Sequence, residues 1–136
     1  MAKTFTLEVV TPERVVASEE VTSLVIPAHE GYLGVLAGHA PMLCTLQPGD
    51  IAIKSEKGES HLATGGGFVE ITPKRVIVLS ESAEKVADID LARAKEARQR
   101  AAERLHSAEK GTDRERAEAA LKRAENRIKL AEKYKK

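Results

Sequence analysis

The chain has 136 residues, a single cysteine, no tryptophan and a net charge of +1 from 22 basic and 21 acidic side chains. So short a chain predicts one compact domain, or a small domain with an appendage; the lone thiol of Cys44 excludes an intramolecular disulfide, and no apolar run approaches the roughly 20 residues of a membrane-spanning helix. The near-neutral total hides an asymmetry, since residues 1–87 carry 7 basic against 11 acidic side chains and residues 88–136 carry 15 against 10, which suits a polyanionic or acidic partner for the tail.

Residues 3–10 alternate polar and apolar with period two, the pattern of a half-buried strand. The chain start lacks the basic-then-apolar layout of a secretory signal, so membrane association is expected only through a partner. Pro12 sits at the favoured second place of a turn. Short strands are expected at residues 14–18 and 21–27. Gly31, Gly34 and Gly38 punctuate the segment that ends at Pro41. Further strands are expected at residues 42–46, 51–55, 60–64, 67–71 and 76–80, separated by turns at Pro48–Gly49–Asp50, Lys57–Gly58 and Pro73, with a tight bend or bulge at residues 65–67. Such short strands between frequent turns predict a β-sandwich or flattened barrel over residues 1–86. Its core must be built from Val, Ile, Leu and Ala, because the chain has only two Phe and two Tyr. Cys44, flanked by Met42 and Leu43, reads as a small buried hydrophobe.

Residues 87–136 change to helical periodicity. Ala94, Ala97, Ala101, Leu105 and Ala108 form one apolar stripe; Ala117, Leu121, Ala124, Ile128 and Ala131 form a second. Gly111 suits the left-handed position that ends a helix, and Thr112 or Asp113 suits an N-cap. So short a connection predicts an antiparallel helical hairpin. Its seam is mostly alanine, and each Ala in place of Leu forgoes over about 1 kcal/mol of apolar burial. A hairpin held this lightly is open to control by a ligand that prefers one of its states; a permanently folded arm is the alternative.

Asp90 followed by Arg93 reads either as a ligand-bearing hinge or as a helix cap. Helical-wheel placement sets Arg93 and Arg100 beside the first stripe and Arg123 and Arg127 beside the second. All four then share one face of an antiparallel pair. Their axial spread of about 10 Å matches a triphosphate, which arginine grips bidentately. Alternatively these charges are simply solvated, with Glu96 pairing Arg100 at i, i+4. His29, His39 and His61 have no metal-ligand spacing, Gly65–Gly66–Gly67 is followed by no Lys-Ser/Thr phosphate loop, and no catalytic triad stands out. An enzyme in its own right is not expected. Nucleic-acid binding is disfavoured too, because the basic tail interleaves ten acids and holds Tyr134 as its sole aromatic.

Three segments together resemble the epsilon subunit family of bacterial F-type ATP synthases: residues 31–41 with their glycines and the Gly38, His39, Ala40, Pro41 run, residues 66–71, and residues 88–94. The resemblance runs the full length. It implies a ten-stranded β-sandwich followed by an antiparallel two-helix hairpin. It also implies a non-catalytic central-stalk subunit that couples proton flow to ATP synthesis and inhibits hydrolysis, peripheral to the cytoplasmic face of the bacterial cell membrane. Implied partners are the gamma subunit, the c-ring, and the alpha and beta subunits when the hairpin extends, with Tyr32 and His39 as rotor or stalk contacts. No cofactor is required. ATP is implied as a regulatory ligand of the folded hairpin, through a motif that here reads Ile89, Asp90, Leu91, Ala92, Arg93, Ala94, with accessory residues Glu84, Arg100, Arg123 and Arg127. The four arginines would share the phosphates, Glu84 and Asp90 would accept hydrogen bonds from adenine or ribose, and Ala94 would leave room for close approach. Whether Mg2+ accompanies the nucleotide is not specified. The family usually has an acid where this chain has Tyr32, which puts an acidic contact to the c-ring in doubt.

Overall fold

Period-two alternation places Phe5, Leu7 and Val9 of β1 (Phe5–Val10) in the core, with Thr6, Glu8 and Val10 turned partly to solvent. The same alternation recurs in β7 (Arg75–Ser80), which buries Val76 and Val78 and pairs parallel to β1. The computed structural model describes residues 3–107 and 112–134. Contacts within it divide the chain into Met1–Lys85 and Val86–Lys136.

The remaining strands are β2 (Val15–Val21), β3 (Ser23–Ala28), β4 (Gly31–Val35), β5 (Met42–Ser55), β6 (Gly58–Ile71) and β8 (Ala83–Lys85). They form one mixed sheet in the order β2-β1-β7-β6-β5-β3-β4, with β8 added against β6. Val21 of β2 and Val35 of β4, from the two ends of that order, lie in the same buried cluster as Leu24, Ile51, Leu62 and Val69. The sheet therefore folds over on itself as a β-sandwich.

Eight strands are present among the described residues, not ten. Residues 42–46 and 51–55, expected as two strands, are one continuous β5; residues 60–64 and 67–71 are likewise one β6. The two pair in constant register from Met42 with Ile71 to Ser55 with Gly58. Pro48–Gly49–Asp50 is thus strand, not turn. Both strands bend together, so the ladder survives where the local residues favour a break. Gly66 and Gly67 permit this with φ of +101° and +148°, conformations that an L side chain rarely adopts. The segment around Gly31 and Gly34 is itself a strand, β4, and β8 was not expected at all.

A chain of buried hydroxyls fixes the bend. Ser80 Oγ donates to the Ser82 carbonyl at 2.6 Å, leaving Thr64 Oγ1 to donate to Ser80 Oγ at 2.6 Å while it accepts the Gly66 N–H at 3.1 Å. No buried side-chain polar atom among the described residues lacks a partner, as burial requires.

In the second unit a single 3-10 turn (Val86–Asp88) leads into α1 (Leu91–Ser107), and α2 (Thr112–Tyr134) packs along α1 and against that turn. Ala94, Ala101, Ala117, Ala124, Ile128 and Ala131 are buried, and Ala97, Leu105 and Leu121 are half-buried. The expected stripe is the observed seam. Ala108, Gly111 and the Thr112 side chain lie outside the described residues. Asp113 falls inside the first turn of α2 rather than at its cap.

Candidate functional site

The entry to α1 is built by three residues of the 89–94 segment. Ile89 is fully buried, and its N–H donates to the Val86 carbonyl at 3.2 Å, closing the 3-10 turn. Asp90 is the N-cap: its Oδ1 accepts the Arg93 N–H at 3.1 Å and its carbonyl accepts the Ala94 N–H at 3.0 Å. That satisfies a donor which the first helical turn would otherwise leave unpaired. Ala94 is fully buried and begins the seam. Arg93 alone among these four has no evident part in the fold; its side chain is exposed and has no carboxylate partner among the described residues.

Each of the four candidate arginines immediately precedes a buried seam residue: Arg93 before Ala94, Arg100 before Ala101, Arg123 before Ala124 and Arg127 before Ile128. At 100° per residue, all four stand on the same rotational flank of their own helix. Arg93 and Arg100 are exposed, whereas Arg123 and Arg127 are half-buried. Arg100 makes no ion pair with Glu96. On α2, Arg114 Nε lies 3.5 Å from Glu118 Oε1, an exposed i, i+4 ion pair of small energetic weight.

Glu84 lies in β8, half-buried, opposite Ala63 of β6. Tyr32 lies on β4, 63% exposed. Its hydroxyl accepts a long 3.4 Å contact from the Asp50 N–H on β5, and it reaches that strand across β3, which separates the two. Gly49 has no side chain to obstruct it: a Cβ there would stand 3.0 Å from the Tyr32 hydroxyl and 2.8 Å from Pro27 Cβ. His39 is half-buried, its Nδ1 2.8 Å from the Ala40 carbonyl. His61 Nδ1 lies 2.9 Å from Asp50 Oδ1, and its Nε2 lies 3.5 Å from Glu59 Oε1. That cluster ties β5 to β6, and no group of three such side chains among the described residues could hold a metal ion. Cys44, expected to be buried, is only half-buried against the core, and partial desolvation raises its thiol above the ordinary value of 9.0.

Two buried features escaped the stripe pattern. Leu130 is 3% exposed although it lies two residues beyond Ile128, off the seam, and Val86 is buried in the 3-10 turn. A large apolar residue on a second flank of α2 is the signal: the buried face widens toward the end of that helix, where Ile128, Leu130 and Ala131 are all buried.

Family models describe the two parts of the chain separately. The ATP synthase Delta/Epsilon chain beta-sandwich domain matches residues 4–86, and the Delta/Epsilon chain long alpha-helix domain matches residues 87–132. The ATP synthase epsilon chain of Desulforamulus reducens is 46% identical over 132 residues, covering 97% of this chain and 100% of that one. This chain belongs to the ATP synthase epsilon chain family. The epsilon chain of Moorella thermoacetica is also 46% identical, over 92% of this chain and 94% of that one. Epsilon chains are stalk subunits of the synthase, not catalytic ones. Among solved structures, one chain of the Euglena gracilis mitochondrial ATP synthase, in its OSCP/F1/c-ring assembly, superposes with a TM-score of 0.76 at 25% identity, covering 90% of this chain and 78% of that chain. A chain of the Tetrahymena thermophila central stalk and c-ring shares the fold, with a TM-score of 0.56 at 15% identity. No described helix is long and apolar enough to cross a membrane.

Proposed function

We propose that this epsilon chain couples rotation of the central stalk to ATP synthesis and restrains ATP hydrolysis through its helical unit, with ATP as the ligand that holds the two helices together. In this reading the sandwich meets the gamma subunit and the c-ring, with Tyr32 and His39 among its contacts. The hairpin is antiparallel; when it opens, its basic helices extend toward the alpha and beta subunits. The complex lies on the cytoplasmic face of the bacterial cell membrane.

The observation that carries the nucleotide proposal is the placing of Arg93, Arg100, Arg123 and Arg127, each one residue ahead of a buried seam position. In an antiparallel pair, equivalent flanks of the two helices converge on one face. Four guanidinium groups on that face form a cradle for a triphosphate, to which each can donate paired charge-assisted hydrogen bonds. Ligand contacts spanning both helices add to the weak burial of an alanine seam, and the folded state is favoured in proportion to that added affinity.

Calorimetric titration of the isolated chain with ATP, with and without Mg2+, tests this. Binding at millimolar nucleotide or below is expected, and Arg93→Ala should weaken it about tenfold or more, the usual weight of charged hydrogen bonds. No heat from the wild-type chain would remove the nucleotide proposal.

A second reading keeps the stalk and inhibitory roles but makes the hairpin insensitive to nucleotide. It is favoured by the structural duties that Ile89, Asp90 and Ala94 perform without any ligand. Deleting residues 88–136 in the assembled synthase should abolish inhibition under both readings. Only under the first does wild-type inhibition decline as ATP rises.

A further inference from the structure

Resting on the nucleotide reading above, we infer that Asn126 selects adenine, its amide pairing with the N6 and N7 edge of the base while the arginines hold the phosphates. Guanidinium groups that grip a triphosphate are blind to the base, since every nucleoside triphosphate carries the same phosphates. At the base itself an arginine favours guanine, because it only donates and guanine offers two acceptors, O6 and N7. A carboxylate such as that of Asp90 only accepts. It can take a hydrogen from the adenine amino group or a ribose hydroxyl, but it cannot serve a ring nitrogen. Adenine presents the N6 donor beside the N7 acceptor, and a primary amide matches both.

The described helices hold two such amides, Gln99 and Asn126. Gln99 is exposed and donates to Glu103 Oε1 at 3.4 Å. Asn126 is half-buried, and so are Arg123 and Arg127 on either side of it in the sequence. Spacings of three, four and seven put Asn126, Arg127 and Leu130 on one stripe with Arg123, the flank that the arginines of α2 occupy. Leu130 is buried, so this stripe is sheltered from water, where a hydrogen bond to a ligand discriminates most. Asn126 is also the sole asparagine of the chain, set inside a helix of 23 residues, where Asn costs stability relative to Ala. A residue that opposes its own helix at a half-buried position points to a task beyond folding. In the antiparallel pair of the nucleotide reading, Asn126 follows the start of α2 at Thr112 by as many residues as Arg93 precedes the end of α1 at Ser107. The amide therefore stands level with the motif that opens α1.

The test titrates the full-length chain and its Asn126→Ala variant with ATP, GTP, ITP and inorganic tripolyphosphate. Wild type should bind ATP about tenfold or more tightly than GTP or ITP, the usual worth of an amide paired with adenine. Asn126→Ala raises helix propensity and so should fold. It should bind ATP about tenfold more weakly, lose the preference over GTP and ITP, and bind tripolyphosphate as wild type does. Arg123→Ala, in contrast, should weaken all four ligands. Three outcomes overturn the inference: equal affinity of wild type for ATP and GTP, a preference for ATP that survives in Asn126→Ala, or an equal loss of all four ligands in that variant, which would make Asn126 structural. Absence of ATP binding by the wild-type chain is a different failure. It removes the nucleotide reading, and this inference falls with it.

Discussion

Gly67 and Leu79 approach so closely, across the β6–β7 ladder, that a Cβ on Gly67 would overlap the Leu79 carbonyl oxygen. The obstacle is backbone, which cannot swing aside, and the φ of +148° at Gly67 is itself unfavourable for any side chain. Gly67→Ala should therefore cost about 3 kcal/mol or more of sandwich stability. Urea unfolding of the two proteins measures this; a loss below about 1 kcal/mol would mean that the bend in β6 relaxes.

At Gly49 the fit is tight but less absolute. A Cβ there meets Pro27 Cβ at 2.8 Å and the Tyr32 hydroxyl at 3.0 Å. Gly49→Ala should destabilise by about 1–3 kcal/mol, and Tyr32→Phe alone by less than about 1 kcal/mol, because the hydroxyl's bond to the Asp50 N–H is long at 3.4 Å. In the double variant Tyr32→Phe should recover only a small part of the Gly49→Ala loss, since the proline is the stiffer neighbour. A double-mutant cycle reads the coupling directly.

The seam between α1 and α2 is built mostly of buried alanines, and Ala124 is 3% exposed. Ala124→Leu should overpack the seam and destabilise the helical unit by about 1–3 kcal/mol. Amide exchange should quicken along α1 and α2 and stay unchanged in the core strands β1 and β7. Slower exchange in the helices would instead mean that the seam accommodates the added carbons and gains from their burial.

The cradle proposed for ATP draws on both helices, so removal of one arginine from either should be felt. Arg100→Ala and Arg123→Ala should each weaken ATP binding about tenfold or more, with no change in the urea midpoint of the sandwich. If Arg123→Ala binds normally while Arg100→Ala does not, the ligand engages α1 alone and cannot hold the pair together.

Cys44 provides a pH-dependent test. Desolvation raises its thiol above 9.0, so at pH 8 it holds less thiolate than an exposed cysteine and should react more slowly with a thiol-specific disulfide reagent. The sign for stability follows. The folded chain retains this proton where the unfolded chain has begun to lose it, so Cys44 makes stability fall as pH rises through the unfolded value. The Cys44→Ala variant should lack that part of the alkaline decline. Reaction at the rate of a free thiol would mean that the site opens readily.

Much of this architecture is legible in the order of residues. The switch from period two to period 3.6 near residue 87 separates sheet from helix, because side-chain direction along a strand or a helix is a local property of the backbone. The seam positions Ala94, Ala101, Ala117, Ala124 and Ile128 follow from the same periodicity. Asp90 could be read in advance as a cap or as a ligand residue, but the spacing Asp-x-x-Arg serves both. Only the hydrogen bond to the Arg93 N–H showed that the cap is made.

Tertiary pairing decided the rest. Pro48, Gly49 and Asp50 carry the composition of a turn, yet they remain in β5 because β6 bends at Gly66 and Gly67 in the same place, and partner strands that curve together keep their ladder. The reach of Tyr32 to β5, the added strand β8 and the burial of Leu130 likewise depend on which distant segments come to lie alongside. Local patterns set what each segment can become, through the direction in which each side chain points. Neighbours remote in the chain settle what it does become, because they supply the hydrogen-bond partners and the apolar cover that a segment lacks alone.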